Sequence, residues 1–289
     1  MPEIKLFSLE GNVEEIKTVP VDVDLELQGL VEDNMKKFFG VTFVASDYDI
    51  GQSTISSVGL DENRVPVVFV YNTKEEQNLL SKGLFHIEQL LANKDRFYTS
   101  VSSKLGKKAS DVIDWTMPRI ICISSGYSKY DRSAVNQFAR NISLIQYAKY
   151  GNGIITFELL ESNSTKPLEE PSKVRNGFAA NLKKANTTTK DFYERLCEYV
   201  KYFDEVVTVN RLRTYIAFKK IKNFGALRIE DNKIIINVNL DPTEFAGREG
   251  FKDVSFATHF STGQLQYTFS NEEGLKVAKH LLLRSYNEN

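Results

Sequence analysis

Two cysteines, three histidines and one tryptophan are all that 289 residues supply of those types. Cys122 and Cys197 fall in different expected units, and with no export signal both are expected as reduced, buried thiols. His86, His259 and His280 are far apart and lack the spacing of a zinc site. We expect His86 on a helix face and His280 on the exposed face of the last helix. No apolar run approaches the roughly 20 residues that span a bilayer. The opening MPEIKLFSLEGNVEE has no apolar h-region, so no signal peptide is expected. The expectation is a cytoplasmic chain with no membrane partner, and the Asn-x-Ser/Thr matches at Asn141, Asn163 and Asn186 then carry no glycan. The G-x-S-x-G, P-loop and G-x-G-x-x-G patterns are missing too, which removes the simplest hydrolase and nucleotide-binding readings.

What is there reads as globular: 42% apolar and 26% charged residues, with length for about two domains. Charge is uneven. Residues 1–162 carry 17 Lys and Arg against 22 Asp and Glu, a net −5, while residues 163–289 carry 20 against 16, a net +4. The stretch 166–233 is the most basic, with 15 against 9, a net +6. That leans mildly toward an anionic partner; a mixed solvated surface accounts for it equally well.

Along the chain, Leu27, Leu30, Val31, Met35 and Phe38 recur at helical spacing, with Gly40 as a stop. VTFVASDY reads as a strand. TISSVGLDENRVPVVFVYN (54–72) reads as two apolar runs about a polar turn, Asp61-Glu-Asn-Arg64. A second helix is expected from about Glu75 to Asn93, then a doubly buried strand PRIICIS, a helix DRSAVNQFARNI, and strands SLIQYAKY and IITFELL turned by Gly151-Asn-Gly153. This alternation argues an α/β domain over 1–162, with a mixed sheet flanked by helices. From 163 to 186 no period holds, which suggests a linker. Over 187–289 the pattern is helix, several strands, helix: a small α+β domain with an antiparallel sheet. Thr188-x-x-Asp191 and Ser270-x-x-Glu273 are the expected capping boxes of its two helices.

The hairpin raises the chemical question. Metal-dependent DNA cleavage needs carboxylate oxygens for Mg²⁺ and a lysine near the attacking water. Residues at i and i+2 of a strand point the same way, so Glu-x-Lys on one strand and Asp on its partner make such a site. A turn centred near Asn63 brings Ser56 close to Val70, with Asn72 on the same face. With these residues in view, the N-terminal half resembles the restriction-endonuclease-like, PD-(D/E)xK superfamily. More narrowly it resembles a group of two-domain bacterial proteins of unknown function, whose hairpin is close to IDTLGIDENGxPVIIEYK. Gly59, Asp61-Glu-Asn63 and Pro66-Val67 match that framework, as do GLFHIEQLL (83–91) and IDWTMPRIICIS (113–124). The functional positions depart from it: the motif's Asp falls on Ser56, its Glu on Val70, its Lys on Asn72, and a Gln of the following helix on Lys82. Ser56 brings no charge, Val70 binds no hard cation, and Asn72 holds no positive charge over a phosphate. The expectation is an inactive nuclease site with no metal or other cofactor. A relocated site built from Glu26, Lys74 and Glu88 is the alternative.

In the second half, Arg211-Leu-Arg-Thr-Tyr-Ile-Ala-Phe-Lys-Lys-Ile-Lys222 interleaves cations and aromatics. Arg211, Arg213, Tyr215, Lys219, Lys220 and Lys222 are the candidate nucleic-acid contacts, with Arg213, Tyr215, Ala217 and Lys219 on one strand face. Ordinary strand alternation with charged ends explains the same pattern. From about Asp191 onward the chain resembles a small domain attached to such nuclease-like halves, in relatives labelled "predicted transport protein". The functional expectation is a non-catalytic nuclease-like protein binding nucleic acid or a protein partner. An active metal-dependent nuclease with the relocated site is the alternative.

Overall fold

The computed structural model describes residues 5–21, 26–51, 53–72, 78–163, 177–255 and 263–289. It opens with a short antiparallel ribbon, β1 (Leu6–Ser8) and β2 (Glu14–Ile16). Helix α1 (Gln28–Phe39) buries Val31, Met35 and Phe39, together with Leu27 just before it. Leu30, expected in that stripe, is exposed, because the buried residues recur every four positions from Leu27 and leave it at the edge. Gly40 ends the helix at φ 66°, donating its amide back to the Lys36 and Met35 carbonyls.

The first sheet runs β3 (Val41–Asp49), β4 (Thr54–Asp61), β5 (Pro66–Asn72), then, after helices α2 (Leu79–Ala92), α3 (Lys94–Leu105) and α4 (Lys107–Ser110), β6 (Arg119–Ser124). Helix α5 (Lys129–Val135) leads into β7 (Asn141–Tyr150) and β8 (Ile154–Ser162). The six strands lie in chain order; β5, β6 and β7 are parallel to one another and the remaining pairs are antiparallel. Every residue of β5 and β6 is buried, as strands covered on both faces must be. Val67, Phe69 and Tyr71 pack with α1, while Val68 and Val70 pack with α2 and α3. Helix α3 carries one buried apolar residue per turn, Phe97 then Val101, too thin a stripe to announce itself in the sequence. The expected helix 131–142 closes after Val135, and Asn141 and Ile142 already belong to β7.

The stretch expected to be a tether holds helix α6 (Phe178–Lys184), whose Phe178 is fully buried in the core of the second sheet. Helix α7 (Thr187–Lys201) follows. Its cap is Asn186, accepting from the Thr189 amide, and not the Thr188-x-x-Asp191 pair. Strands β9 (Thr208–Arg211), β10 (Ile216–Lys219), β11 (Asn223–Glu230), β12 (Lys233–Val238), β13 (Phe251–Asp253) and β14 (Leu265–Phe269) form an antiparallel sheet of order β13-β14-β12-β11-β10-β9. The β11–β12 turn places Asp231 and Asn232 at φ 46° and 59°, the tight turn suited to twisted hairpins. Helix α8 (Glu272–Glu288) closes the chain, capped by Asn271 on the Gly274 amide where Ser270 had been expected. Helices α6, α7 and α8 all cover one face of this sheet, around Phe218, Leu227, Ile236 and Leu282. No helix among the described residues is long and apolar enough to cross a membrane.

Candidate functional site

The β4–β5 hairpin is the centre of the molecule's polar chemistry. Its register sets Ser57 opposite Phe69, as a turn centred on residue 63 demands. Asp61 closes that turn by accepting the amides of Asn63 (2.8 Å) and Val65 (3.1 Å), and Arg64 takes φ 65°.

The four positions that the resemblance singles out have different surroundings, and one of them, Val70, is apolar core. Val70 has no exposed surface and lies in the apolar cluster with Val68, Ile120 and Cys122, beneath α2. The fit is close: a Cβ on Gly83 of α2 would come within 2.7 Å of Ile120 Cγ2 and 3.5 Å of Val70 Cγ2. Burial pushes the Cys122 thiol up to about 12, so it stays a neutral packing group. Asn72 is buried opposite Ser124, in the row that continues to Gln146. Ser56 is half-buried and its carbonyl accepts from Gln28 Nε2 at 3.0 Å. Lys82 points to solvent on α2. The surroundings of Val70 thus offer aliphatic carbons and a thiol, and no oxygen set for a hard cation.

The relocated set is not brought together. Glu26 pairs with Lys149 on the α1 side of the sheet, whereas Glu88 is exposed on α2, on the opposite side. Lys74 lies outside the described residues, as does His259. Among the described residues, no three His, Cys, Asp or Glu side chains converge as a metal site. His86 is buried, not merely on a helix face. Its ring is held near pH 4 by burial and by Lys82, and it stays neutral beside the Ser53 hydroxyl at 3.4 Å. His280 is exposed on α8.

A carboxylate does meet the hairpin, but from α1. The Ser57 hydroxyl donates to Glu32 at 2.6 Å and lies 2.9 Å from the Tyr71 hydroxyl, while Gln28 Nε2 donates to Glu32 at 3.1 Å. With one acid and no neighbouring base, this network orders the helix against the strands and supplies no metal cluster. Its sequence signal was the Gln28/Glu32 pair at i and i+4 on the flank of α1.

Among the described residues, an extensive buried polar assembly lies at the hairpin's turn, where the two sheets meet. Asp61 Oδ2 takes Arg119 Nη1 and Lys219 Nζ, both at 3.2 Å, and all three side chains are nearly inaccessible. Asn63 Oδ1 accepts from the Tyr215 hydroxyl (2.8 Å) and Asn223 Nδ2 (2.7 Å), and Glu62 Oε2 accepts the Asn223 amide (2.8 Å). Val65 packs with Leu212, Tyr215, Ala217 and Ala226 alongside. Two acids and two cations make the group formally neutral. Burial works to raise the Asp61 carboxyl, yet Lys219, Arg119 and the turn amides hold it below its ordinary value. Burial dominates the other three, raising Glu62 to about 7, lowering Lys219 to about 8 and lowering Arg119 from its ordinary value. The sequence signal was Arg119, a charge heading a strand buried throughout, which requires a buried acid.

This docking corrects the expected nucleic-acid strand. Alternation along β10 turns Ile216 and Phe218 toward the helices, and Ala217 and Lys219 toward the first sheet. Tyr215 and Lys219 are therefore covered and hydrogen-bonded inside the protein. Lys220 is engaged by Asp204 at 2.5 Å and by the Tyr286 hydroxyl at 3.1 Å. Lys222 is half-buried. Arg211 and Arg213 are exposed, Arg211 resting over Phe178 and donating to the Tyr193 hydroxyl.

Comparison with known proteins adds two likenesses. No known protein family matches the chain. A Haemophilus influenzae protein described as uncharacterized is 24% identical over 302 residues, covering 96% of this chain and 98% of its own. Among solved structures, one described as the structure of an EndoMS–dsDNA2 complex aligns over 50% of this chain and 64% of its own, at 12% identity and a TM-score of 0.27. The architecture is a six-stranded mixed sheet flanked by helices, joined through the β4–β5 hairpin to a separate antiparallel sheet.

Proposed function

We propose that this chain is a non-catalytic, nuclease-like protein that binds nucleic acid. In this reading 1–162 is a PD-(D/E)xK framework in which Val70, at the motif's Glu, has been absorbed into the core. Residues 187–289, extended by α6, form a binding unit of the "predicted transport protein" type. The observation that carries it is the packing of Val70: the residue in the place of the motif's Glu has no exposed surface and is pressed under α2 at Gly83. Ser56 and Asn72 beside it carry no charge, so a divalent ion would meet neutral groups only. The alternative, an active nuclease with a relocated site, has less support because Glu26 and Glu88 lie on opposite faces of the sheet.

The test uses the full chain with labelled DNA and RNA oligonucleotides, with Mg²⁺ or Mn²⁺. The expected result is retention that weakens with salt, and no cleavage. Cleavage that a chelator stops would overturn the non-catalytic reading. Failure to retain any oligonucleotide at low salt would overturn the nucleic-acid reading, and a pull-down would then test for a protein partner.

A further inference from the structure

We infer that nucleic acid, where the reading above holds, is gripped through its phosphates by one basic surface formed by α6, the start of α7 and the β9–β10 turn. Lys183 and Lys184 end α6 and are exposed. Lys190, on α7, donates its ammonium to the Lys183 carbonyl at 3.2 Å, which joins the two helices. Tyr193 stands three residues further along α7, on the same face as Lys190, and accepts from Arg211 at 2.9 Å. The Arg211 guanidinium lies 5.9 Å from the centre of the Phe178 ring, and the Phe178 amide donates to the Arg213 carbonyl at 2.9 Å. These contacts connect Lys183, Lys184, Lys190, Arg211 and Arg213 into a single patch.

Among the described residues, none of the five cations forms an ion pair with a carboxylate. Of the acids nearby, Asp191 is taken by Arg195 at 3.1 Å and Glu230 by Arg228 at 3.2 Å, and Glu194 and Asp231 are two negative charges beside five positive ones. Several cations elsewhere in this half are committed, among them Lys219 to Asp61, Lys220 to Asp204, and Arg284 to Glu244 and Glu288.

The chemistry of the patch selects the partner. None of the large exposed apolar side chains comes from α6, the first turns of α7 or the β9–β10 turn. A protein interface would present an aromatic or aliphatic anchor there, and an inserting membrane surface would present apolar side chains. Phe178 is buried and the half-buried Tyr193 ring packs against it at 5.6 Å between centroids, so neither ring stands free as a stacking platform. What is left is a set of spaced cations, suited to the repeated charge of a phosphate backbone and indifferent to its sequence.

The experiment measures binding of a fluorescent 20-nucleotide single strand and its duplex by anisotropy, between 50 and 200 mM salt. The full chain is compared with Lys183→Gln/Lys184→Gln/Lys190→Gln/Arg213→Gln. Lys107→Gln/Lys108→Gln, on α4 of the first half, serves as the control. Each lost phosphate contact removes about 0.7 to 0.9 from the slope of log affinity against log salt. The quadruple variant should flatten that slope by about 3 and weaken binding at least about tenfold at low salt. Its thermal unfolding should match that of the parent, and the control should bind as the parent does. If the parent binds and the quadruple variant keeps its slope and affinity, the patch is wrong while the nucleic-acid reading survives. If the parent retains neither oligonucleotide, that reading fails and the patch with it. Binding to anionic lipid vesicles without binding to oligonucleotides would overturn the assignment to nucleic acid.

Discussion

Asp61 and Lys219 meet between the two sheets, and replacing each by its uncharged near-isostere should have very unequal effects. In Asp61→Asn the side-chain oxygen that accepts the Asn63 and Val65 amides is kept, so the turn retains its closure. What is lost is the charge shared by Arg119 and Lys219, each 3.2 Å away. At an effective dielectric of about 20, each contact carries about 5 kcal/mol of attraction, most of it offset by desolvation. With the acid gone the desolvation cost remains and the attraction does not, leaving two buried cations near Glu62. The expected destabilisation is about 3–5 kcal/mol. Lys219→Met differs, because it also removes a group whose burial, and whose nearness to Arg119, pull its ammonium down to about 8. Asp61 keeps Arg119, so the expected cost is about 1 kcal/mol or less. In the double variant the Asp61 substitution should hurt less by about 2 kcal/mol, the coupling typical of charges in one network. Urea unfolding at pH 7, followed by far-UV dichroism and by the fluorescence of Trp115 in the first half, gives the four values. Equal costs for the two single variants, or additivity in the double, would refute this account of the interface.

Glu62→Gln tests the same corner by pH. Burial raises the Glu62 carboxyl from 4.5 to about 7, so between those values the folded chain binds more protons than the unfolded one. Its stabilising share is present below about pH 4.5 and is lost as pH rises through 7, so the variant should show a flatter stability profile over that window and gain relative to the parent at pH 8. Thermal melts at pH 5 and 8 check the sign. Gly83→Ala should lower stability by about 1–3 kcal/mol, although alanine favours helix by about 1 kcal/mol, because the new methyl would stand 2.7 Å from Ile120; a melting curve decides. Val70→Glu should abolish the cooperative fold by placing a carboxylate in a dry apolar cluster, a cost of several kcal/mol. Ser56→Asp/Val70→Glu/Asn72→Lys should then fail by misfolding, and a folded triple variant by dichroism would contradict the packing argument.

The fold could be read from the sequence wherever one period dominated. The hairpin register follows from the position of its turn, and the continuous apolar strands β5 and β6 announce burial on both faces. Helix α3 escaped because Phe97 and Val101 are its only buried apolar residues, and α6 because one buried aromatic, Phe178, anchors a single short helix. At the candidate site the sequence showed which side chains stand at the positions compared with the motif, but not what they pack against. That depends on α2 pressing Gly83 onto β6, a contact between residues some forty positions apart. The basic strand misled for a related reason: alternation along β10 is plain, but nothing local says that its polar face is covered by a turn 150 residues earlier. Lys219 therefore looks like a surface charge until Asp61 and Arg119 stand beside it.

Because the hairpin's acids and the second sheet's lysine complete one another, cutting the chain ahead of α6, near residue 170, should not yield two well-behaved pieces. The amino-terminal fragment would retain Arg119 beside Asp61 but uncover Glu62, Asn63 and Val65, and the carboxy-terminal fragment would carry a bare Lys219 ringed by Tyr215, Ala217 and Ala226. Each would expose a sticky, half-satisfied surface shaped for the other. Mixed together, such fragments would be expected to find one another and reassemble, a behaviour more typical of split proteins than of beads on a string.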